Sequence, residues 1–182
     1  MAKTLQEKFE KEILPKLMKQ MNTSNRFEVP RIEKVTVNIG LGRVAKDAKT
    51  IDVAEETLRR ITGQRPVKTR AKKSISNFKI RQGMMIGMKV TLRGKRMWDF
   101  LGKMINITIP RIRDFRGLSE DMVDRSGNLS IGFKEHVVFP EVALADISAT
   151  HGLQVIITTT ADTKEEGLAL FSALGIPFKK QE

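Results

Sequence analysis

Two runs of strict alternation constrain what this chain can fold into more than any other feature. Between Ile32 and Ile39, Val35, Val37 and Ile39 fall on one side and Lys34, Thr36 and Asn38 on the other. Between Met85 and Arg93, Ile86, Met88, Val90 and Leu92 alternate with Lys89, Thr91 and Arg93. A period of two belongs to a β-strand with one buried and one wet face. Two such strands imply a sheet with a core side and a side left open, the open side carrying polar and cationic groups.

The other periodicities supply what covers the core side. Thr4 to Glu7 has the spacing of a capping box, and Leu5, Phe9, Ile13, Leu17 and Met21 then recur every fourth residue as in an amphipathic helix. Pro15 is expected to kink that helix or begin its second half. Asn22 to Asn25 reads as a polar loop. A second helix carries Ile51, Ala54, Leu58 and Ile61 and ends at Gly63, and Pro66 to Arg70 follows as a short strand. Lys95 to Ile109 reads as a third helix, with Met97, Phe100, Leu101, Met104 and Ile105 buried, stopped by Pro110. Strands are expected over Leu129 to Phe133 and Leu153 to Thr160, with a short helix near Val142 to Ile147 between them. Thr163 and Glu166 then cap a last helix that Gly175 and Pro177 end. Strand, helix, strand, strand, helix and a later strand predict an α+β fold of the split βαβ, ferredoxin-like kind. The sheet is expected to be antiparallel, with helices on one face and the other face open. Residues 1–182 are expected to form one domain, with a basic hairpin loop at about 71–84.

Charge gives the open face its meaning. From Thr57 to Trp98, 42 consecutive residues hold 13 Lys or Arg and no Asp or Glu. The whole chain has 33 basic and 21 acidic residues, so taking those 13 away leaves 20 against 21. The net charge of +12 therefore belongs to one segment. Like charges held this close destabilise a compact state unless a polyanion neutralises them, and nucleic acid is the first candidate. Within the segment, Arg70 to Gly83 is cationic and polar and fits neither helix nor strand, as an exposed loop would. The two aromatic side chains with which RNA-recognition motifs stack bases are missing from the strands, so contact is expected through phosphates, hydroxyls and shape. Phe78 in the loop either stacks on a base or pins the loop to the core. Arg111, Arg113 and Arg116, in the connector that ends at Gly117, suit RNA phosphates.

Several classes of function are set aside by composition. There is no cysteine, hence no disulfide, thiolate metal site or thiol nucleophile. His136 and His151 are isolated and lack metal-ligand spacing, so they are expected to be ordinary surface or hydrogen-bonded residues and no metal or cofactor is expected. No apolar run approaches the ~18 residues that span a bilayer, and a soluble, cytoplasmic protein without a membrane partner is expected. One alternative remains. Gly40-Leu41-Gly42-Arg43-Val44-Ala45 lies between a strand and a helix, as a dinucleotide-binding turn does, and would serve an enzyme acting on RNA or a nucleotide. Such a turn needs an acidic residue about 20 positions on, where this chain enters its carboxylate-free stretch. A tight turn that uses glycine's backbone freedom explains it better.

Longer motifs then resemble a known family. Val29-Pro30-Arg31-Ile32-Glu33-Lys34, the run Leu58 to Ser74 with Ala71-Lys72-Lys73-Ser74, and Gly87-Met88-Lys89-Val90-Thr91-Leu92-Arg93-Gly94 are similar to bacterial ribosomal protein L5 of the large subunit. So are Pro110 to Leu118, Phe139-Pro140-Glu141 and Pro177-Phe178. The chain departs from the family at Asp124-Arg125-Ser126-Gly127-Asn128-Leu129, where Asp-Gly-Arg-Gly-Asn-Tyr is usual, and at His136 and Met85.

The resemblance implies a structural protein that catalyses nothing and takes no small-molecule substrate. It implies attachment of 5S ribosomal RNA to 23S ribosomal RNA in the central protuberance, beside other 5S-associated proteins. Contact with transfer RNA in the P site and a bridge to small-subunit protein S-thirteen are implied too. Carried over by position, Asn38, Gln64 and Thr91, with Lys68 and Arg93 beside them, are the expected 5S-binding residues. Arg70, Lys72, Lys73, Ser74, Ser76, Asn77, Phe78, Lys79, Arg81 and Gln82 are the expected loop contacts to transfer or ribosomal RNA.

Overall fold

In the computed structural model, residues 4–42, 48–142 and 151–179 are described. The expected helix near Val142 to Ile147, from residue 143 on, and the Arg43 to Ala45 part of the glycine turn lie outside them. Five strands form one antiparallel sheet in the order β2-β3-β1-β5-β4. They are β1 (Ile32–Gly40), β2 (Val67–Arg70), β3 (Met85–Leu92), β4 (Leu129–Phe133) and β5 (Leu153–Thr159). β3 stands between β1 and β2, the two strands that α3 (Ala48–Thr62) connects. That is the split βαβ arrangement expected from the order of periods.

The chain forms two compact units. The first is Met1–Val35, Leu92–Ile131 and Ile156–Glu182. It holds α1 (Leu5–Lys8), α2 (Leu14–Gln20), α4 (Gly94–Lys103) and α5 (Lys164–Leu174). Thr4 caps α1 by accepting from the Glu7 amide at 3.3 Å. A single wide turn, Phe9–Ile13, separates α1 from α2, and Pro15 stands in the first turn of α2, where its missing donor costs nothing. Phe9 packs on Trp98 of α4 with ring centroids 5.2 Å apart, so the tryptophan is a half-buried core residue. Phe9, Ile13, Leu17, Phe100, Leu101, Leu170 and Phe171 are all buried, each contributing about 1.5–3 kcal/mol by leaving water. The third helix does not run uniformly to Pro110. It becomes a wide turn at Met104–Thr108 and a tight one at Ile109–Arg111, with the proline inside that last turn. Thr163 caps α5 and Gly175, at φ +92°, ends it.

The second unit is Thr36–Thr91 and Gly132–Val155. Its core draws Val37 and Ile39 from β1, Met88 and Val90 from β3, and Ala54, Leu58 and Ile61 from α3. Phe133 and Phe139 meet edge to face at 5.4 Å. The histidines depart from the surface placement open to them. His136 is fully buried and His151 half-buried, their rings stacked 4.1 Å apart and nearly parallel. The His151 amide donates to His136 Nδ1 at 3.3 Å. Isolated residues carry no periodic signal, so only the closure of the chain reveals their burial.

Candidate nucleic-acid interface

The open face is built by pleating. On β1 the buried residues are Val35, Val37 and Ile39, which turns Thr36 and Asn38, both half-buried, to the opposite side. On β3, Met88, Val90 and Leu92 are buried, which turns exposed Lys89 and half-buried Thr91 the same way. The β2–β3 register pairs Val67 with Lys89, Lys68 with Met88 and Thr69 with Gly87. Directly opposed residues share a face, so Val67 and Thr69 join the open side, and Val67 is 63% exposed there. A Cβ on Gly87 would stand 2.6 Å from the Ile39 carbonyl and 3.1 Å from Thr69 Oγ1. Only glycine lets β1 come this close.

Lys68 lies on the other side. Paired with buried Met88, it points toward α3, and its ammonium meets the Glu55 carboxylate at 2.8 Å. That hydrogen bond, with lesser help from Lys68 and Arg65 as charges, holds the Glu55 carboxyl below the usual glutamate range despite partial burial. Arg65 reaches the same carboxylate at 3.5 Å. The next residue, Glu56, takes Arg59 in a two-point grip at 2.8 and 3.0 Å and Arg60 at 2.9 Å. These bonds, Arg59 first, bring the Glu56 carboxyl down to about 2. Four of the 13 cations are thus engaged by two carboxylates just upstream of the carboxylate-free stretch. The free positive charge lies farther along, in the loop and on β3.

Gln64 follows α3 and is half-buried; its amide donates to Thr62 Oγ1 at 3.3 Å, and its carbonyl accepts from the same hydroxyl at 3.2 Å. Asn38, Gln64, Lys68 and Thr91 all belong to the second unit, whereas Arg93, exposed at the head of α4, belongs to the first. The side chains of Asn38 and Thr91 form no hydrogen bond among the described residues.

The loop is exposed from Lys72 to Lys79, as its composition requires, but it is more regular than its sequence suggests. Ile75 and Ile80 exchange backbone bonds at 2.9 and 3.1 Å, a tight turn spans Ser76–Phe78, and Lys79 sits in the left-handed region at φ +53°. The Gln82 amide donates to Ser74 Oγ at 2.9 Å, and Gly83 closes the base on the Ala71 carbonyl at 2.9 Å. Phe78 is 71% exposed, so it does not pin the loop to the core. Lys72, Lys73, Lys79 and Arg81 make no ion pair among the described residues.

Arg111, Arg113 and Arg116 are exposed in the first unit, on a connector whose far end is fixed. Gly117, at φ +98°, lies where a Cβ would meet the Phe178 and Lys179 backbone at 2.8 Å. The Leu118 amide donates to the Pro177 carbonyl at 2.9 Å, which ties the connector to the C-terminal segment.

Sequence reasoning missed Val67 and Thr69, which a four-residue strand is too short to assign to a face, and the clamps at Glu55 and Glu56. The helical spacing of Glu56 to Arg59 and Arg60 is a signal that could have revealed the second clamp. Among the described residues, no three His, Cys, Asp or Glu are grouped to hold a metal ion, and no helix is long and apolar enough to cross a membrane.

Residues 25–81 match the model of a family described as ribosomal protein L5, and residues 85–178 match that of the ribosomal L5P family C-terminus. A large ribosomal subunit protein uL5 from Halothermothrix orenii is 51% identical over 176 residues, covering 97% of this chain and 98% of the relative. Proteins of the same name from Kosmotoga olearia and Macrococcus caseolyticus are 49% and 48% identical over 176 residues, again 97% of this chain and 96% and 98% of theirs.

Proposed function

The chain belongs to the ribosomal protein L5 family, and from that premise we propose how its surface is used. It is a structural protein of the large ribosomal subunit, located in the cytoplasmic ribosome, and not an enzyme. Its open sheet face binds 5S ribosomal RNA through Asn38, Gln64 and Thr91, with Arg93 adding charge. The observation that supports this reading is that the Asn38 amide and Thr91 hydroxyl are half-buried on the polar side of the sheet and unbonded among the described residues. A half-buried polar group gains most when a ligand completes its hydrogen bonds. Lys68 contributes only by exchanging Glu55 for a phosphate, since its ammonium is already paired.

The basic loop, Arg70 to Gln82, reaches toward transfer RNA in the P site, with Ser74, Ser76, Asn77 and Phe78 presented among its cations. Arg111, Arg113 and Arg116 contact phosphates of 23S ribosomal RNA. The same assembly places the protein beside other 5S-associated proteins and small-subunit protein S-thirteen.

The test is binding of 5S RNA to the isolated protein by gel shift at several salt concentrations. Asn38→Ala and Thr91→Val should each weaken binding by about 1–3 kcal/mol while leaving the dependence on salt unchanged, because they remove uncharged bonds. Undiminished 5S binding in both variants would refute the assignment of the open face.

A further inference from the structure

Phe27 is the most exposed large hydrophobic side chain among the described residues, at 77%. It is held there by the loop between α2 and β1. Asn25 Oδ1 accepts from the Phe27 amide at 3.0 Å, and the Asn25 amide donates to Thr23 Oγ1 at 3.2 Å. The Glu28 carboxylate accepts from the Thr23 hydroxyl and from Asn25 Nδ2 at 3.3 Å, which turns it into the loop. Two residues on, Val29 and Pro30 are buried and anchor the segment. The ring is therefore presented by a bonded loop.

Two guanidinium groups lie over the Phe27 ring. Arg26 lies 5.7 Å and Arg31 5.2 Å from the ring centroid. Arg31 is fixed by a bond from Nη2 to the Arg26 carbonyl at 2.8 Å, and its buried Nε has no acceptor among the described residues. Neither arginine has a carboxylate partner among the described residues. An exposed aromatic ring beside two unneutralised cations is what a base and its adjoining phosphates require, since any base offers a flat face and the guanidinium groups take the charge. A docking protein would need a contiguous apolar patch, yet Asn25, Arg26 and Glu28 around the ring are all polar and exposed. The apolar area is that of one base.

We propose that Phe27, with Arg26 and Arg31, is a stacking site for a single unpaired RNA base, built from none of the residues assigned to the open sheet face or the basic loop. It rests on the reading of this chain as an RNA-binding protein, and the experiment separates the two. Fluorescein-labelled eight-nucleotide oligo(A) and oligo(U) are titrated by anisotropy against the full chain. A second series carries Lys72→Ser, Lys73→Ser, Lys79→Asn and Arg81→Ser to remove the loop's contribution.

In that background Phe27→Ala should weaken binding roughly five- to a hundred-fold with unchanged salt dependence, and Phe27→Trp should retain it. Arg26→Gln should lower the slope of log affinity against log salt by about one. Wild-type affinity in Phe27→Ala, or equal affinity in Phe27→Leu, would overturn the stacking site and leave the open-face reading standing. So would a large fall in melting temperature in Phe27→Ala, which would make the ring structural. Failure of the wild-type chain to bind either oligonucleotide would overturn this proposal, while the open-face reading stands or falls on the 5S gel shift.

Discussion

At the scale of single residues, two glycines in helices have opposite reasons to be there. Gly167 in α5 faces Gly127, and a Cβ on it would meet Gly127 Cα at 2.5 Å and its carbonyl at 2.6 Å. Alanine is the better helix former by ~1 kcal/mol, but backbone atoms cannot move aside as a side chain can, and overpacking costs about 1–3 kcal/mol. Gly167→Ala should therefore lower the urea midpoint. Gly102 in α4 faces only the Leu5 Cβ at 3.6 Å, so Gly102→Ala should raise it by adding up to ~1 kcal/mol of stability. A shift of the same sign in both would refute the packing argument. The turn that meets Gly167 also shows how a departure from the family pattern is absorbed. Asp124 accepts from the amides of Ser126 and Asn128 at 3.0 and 2.8 Å and from Asn128 Nδ2 at 3.0 Å. Burial acts to raise its pKa, and these bonds overcome that and hold it below the usual aspartate value. Asn128 in turn accepts from the Thr159 amide at 3.0 Å. Arg125 and Ser126 are exposed and the turn needs neither side chain, so only Asp124, Gly127 and Asn128 are required for its shape.

At the scale of elements, α3 carries an acid-sensitive clamp. The folded-state pKa of Glu56 lies near 2, below the ordinary 4.5. A depressed carboxyl stabilises the fold above its unfolded value and ceases to do so as the proton returns. The contribution is present above about pH 4.5 and is lost between there and about pH 2. Melts followed by circular dichroism should show a loss of stability across that window that is smaller in Glu56→Gln; an identical loss in the variant would show the clamp to be inert. The basic loop should behave in the opposite manner. Its closing bonds run through the backbone and Ser74, and none involves the side chains of Lys72, Lys73, Lys79 or Arg81. Replacing those four by Ser, with Asn at the left-handed Lys79, should leave melting nearly unchanged, since exposed charges add little stability. Large subunits carrying this variant should keep their 5S RNA and lose P-site transfer RNA. Lost 5S RNA with normal transfer RNA retention would assign the loop to assembly.

At the scale of the molecule, charge sets affinity and hydrogen bonding sets selectivity. If the unpaired cations neutralise ~6–8 phosphates, log affinity for 5S RNA should fall against log salt with a slope of roughly −4 to −7. A slope near zero would show that the +12 net charge plays no part in binding. The alternation in β1 and β3, the caps at Thr4 and Thr163 and the stop at Gly175 were all legible in the chain, because each depends on neighbours within a few positions. So was the open face, since pleating alone sends Asn38 and Thr91 to one side. Tertiary structure decided what lies between elements. The β2–β3 register turned Lys68 away from that face and toward Glu55 on α3, and the closing of the chain buried His136 against His151. The Asn25 turn set Phe27 out in solvent with two arginines over its ring. Local sequence sets the direction of a side chain along its own element, but the group that meets it depends on the register and approach of another element, and no short-range period encodes those.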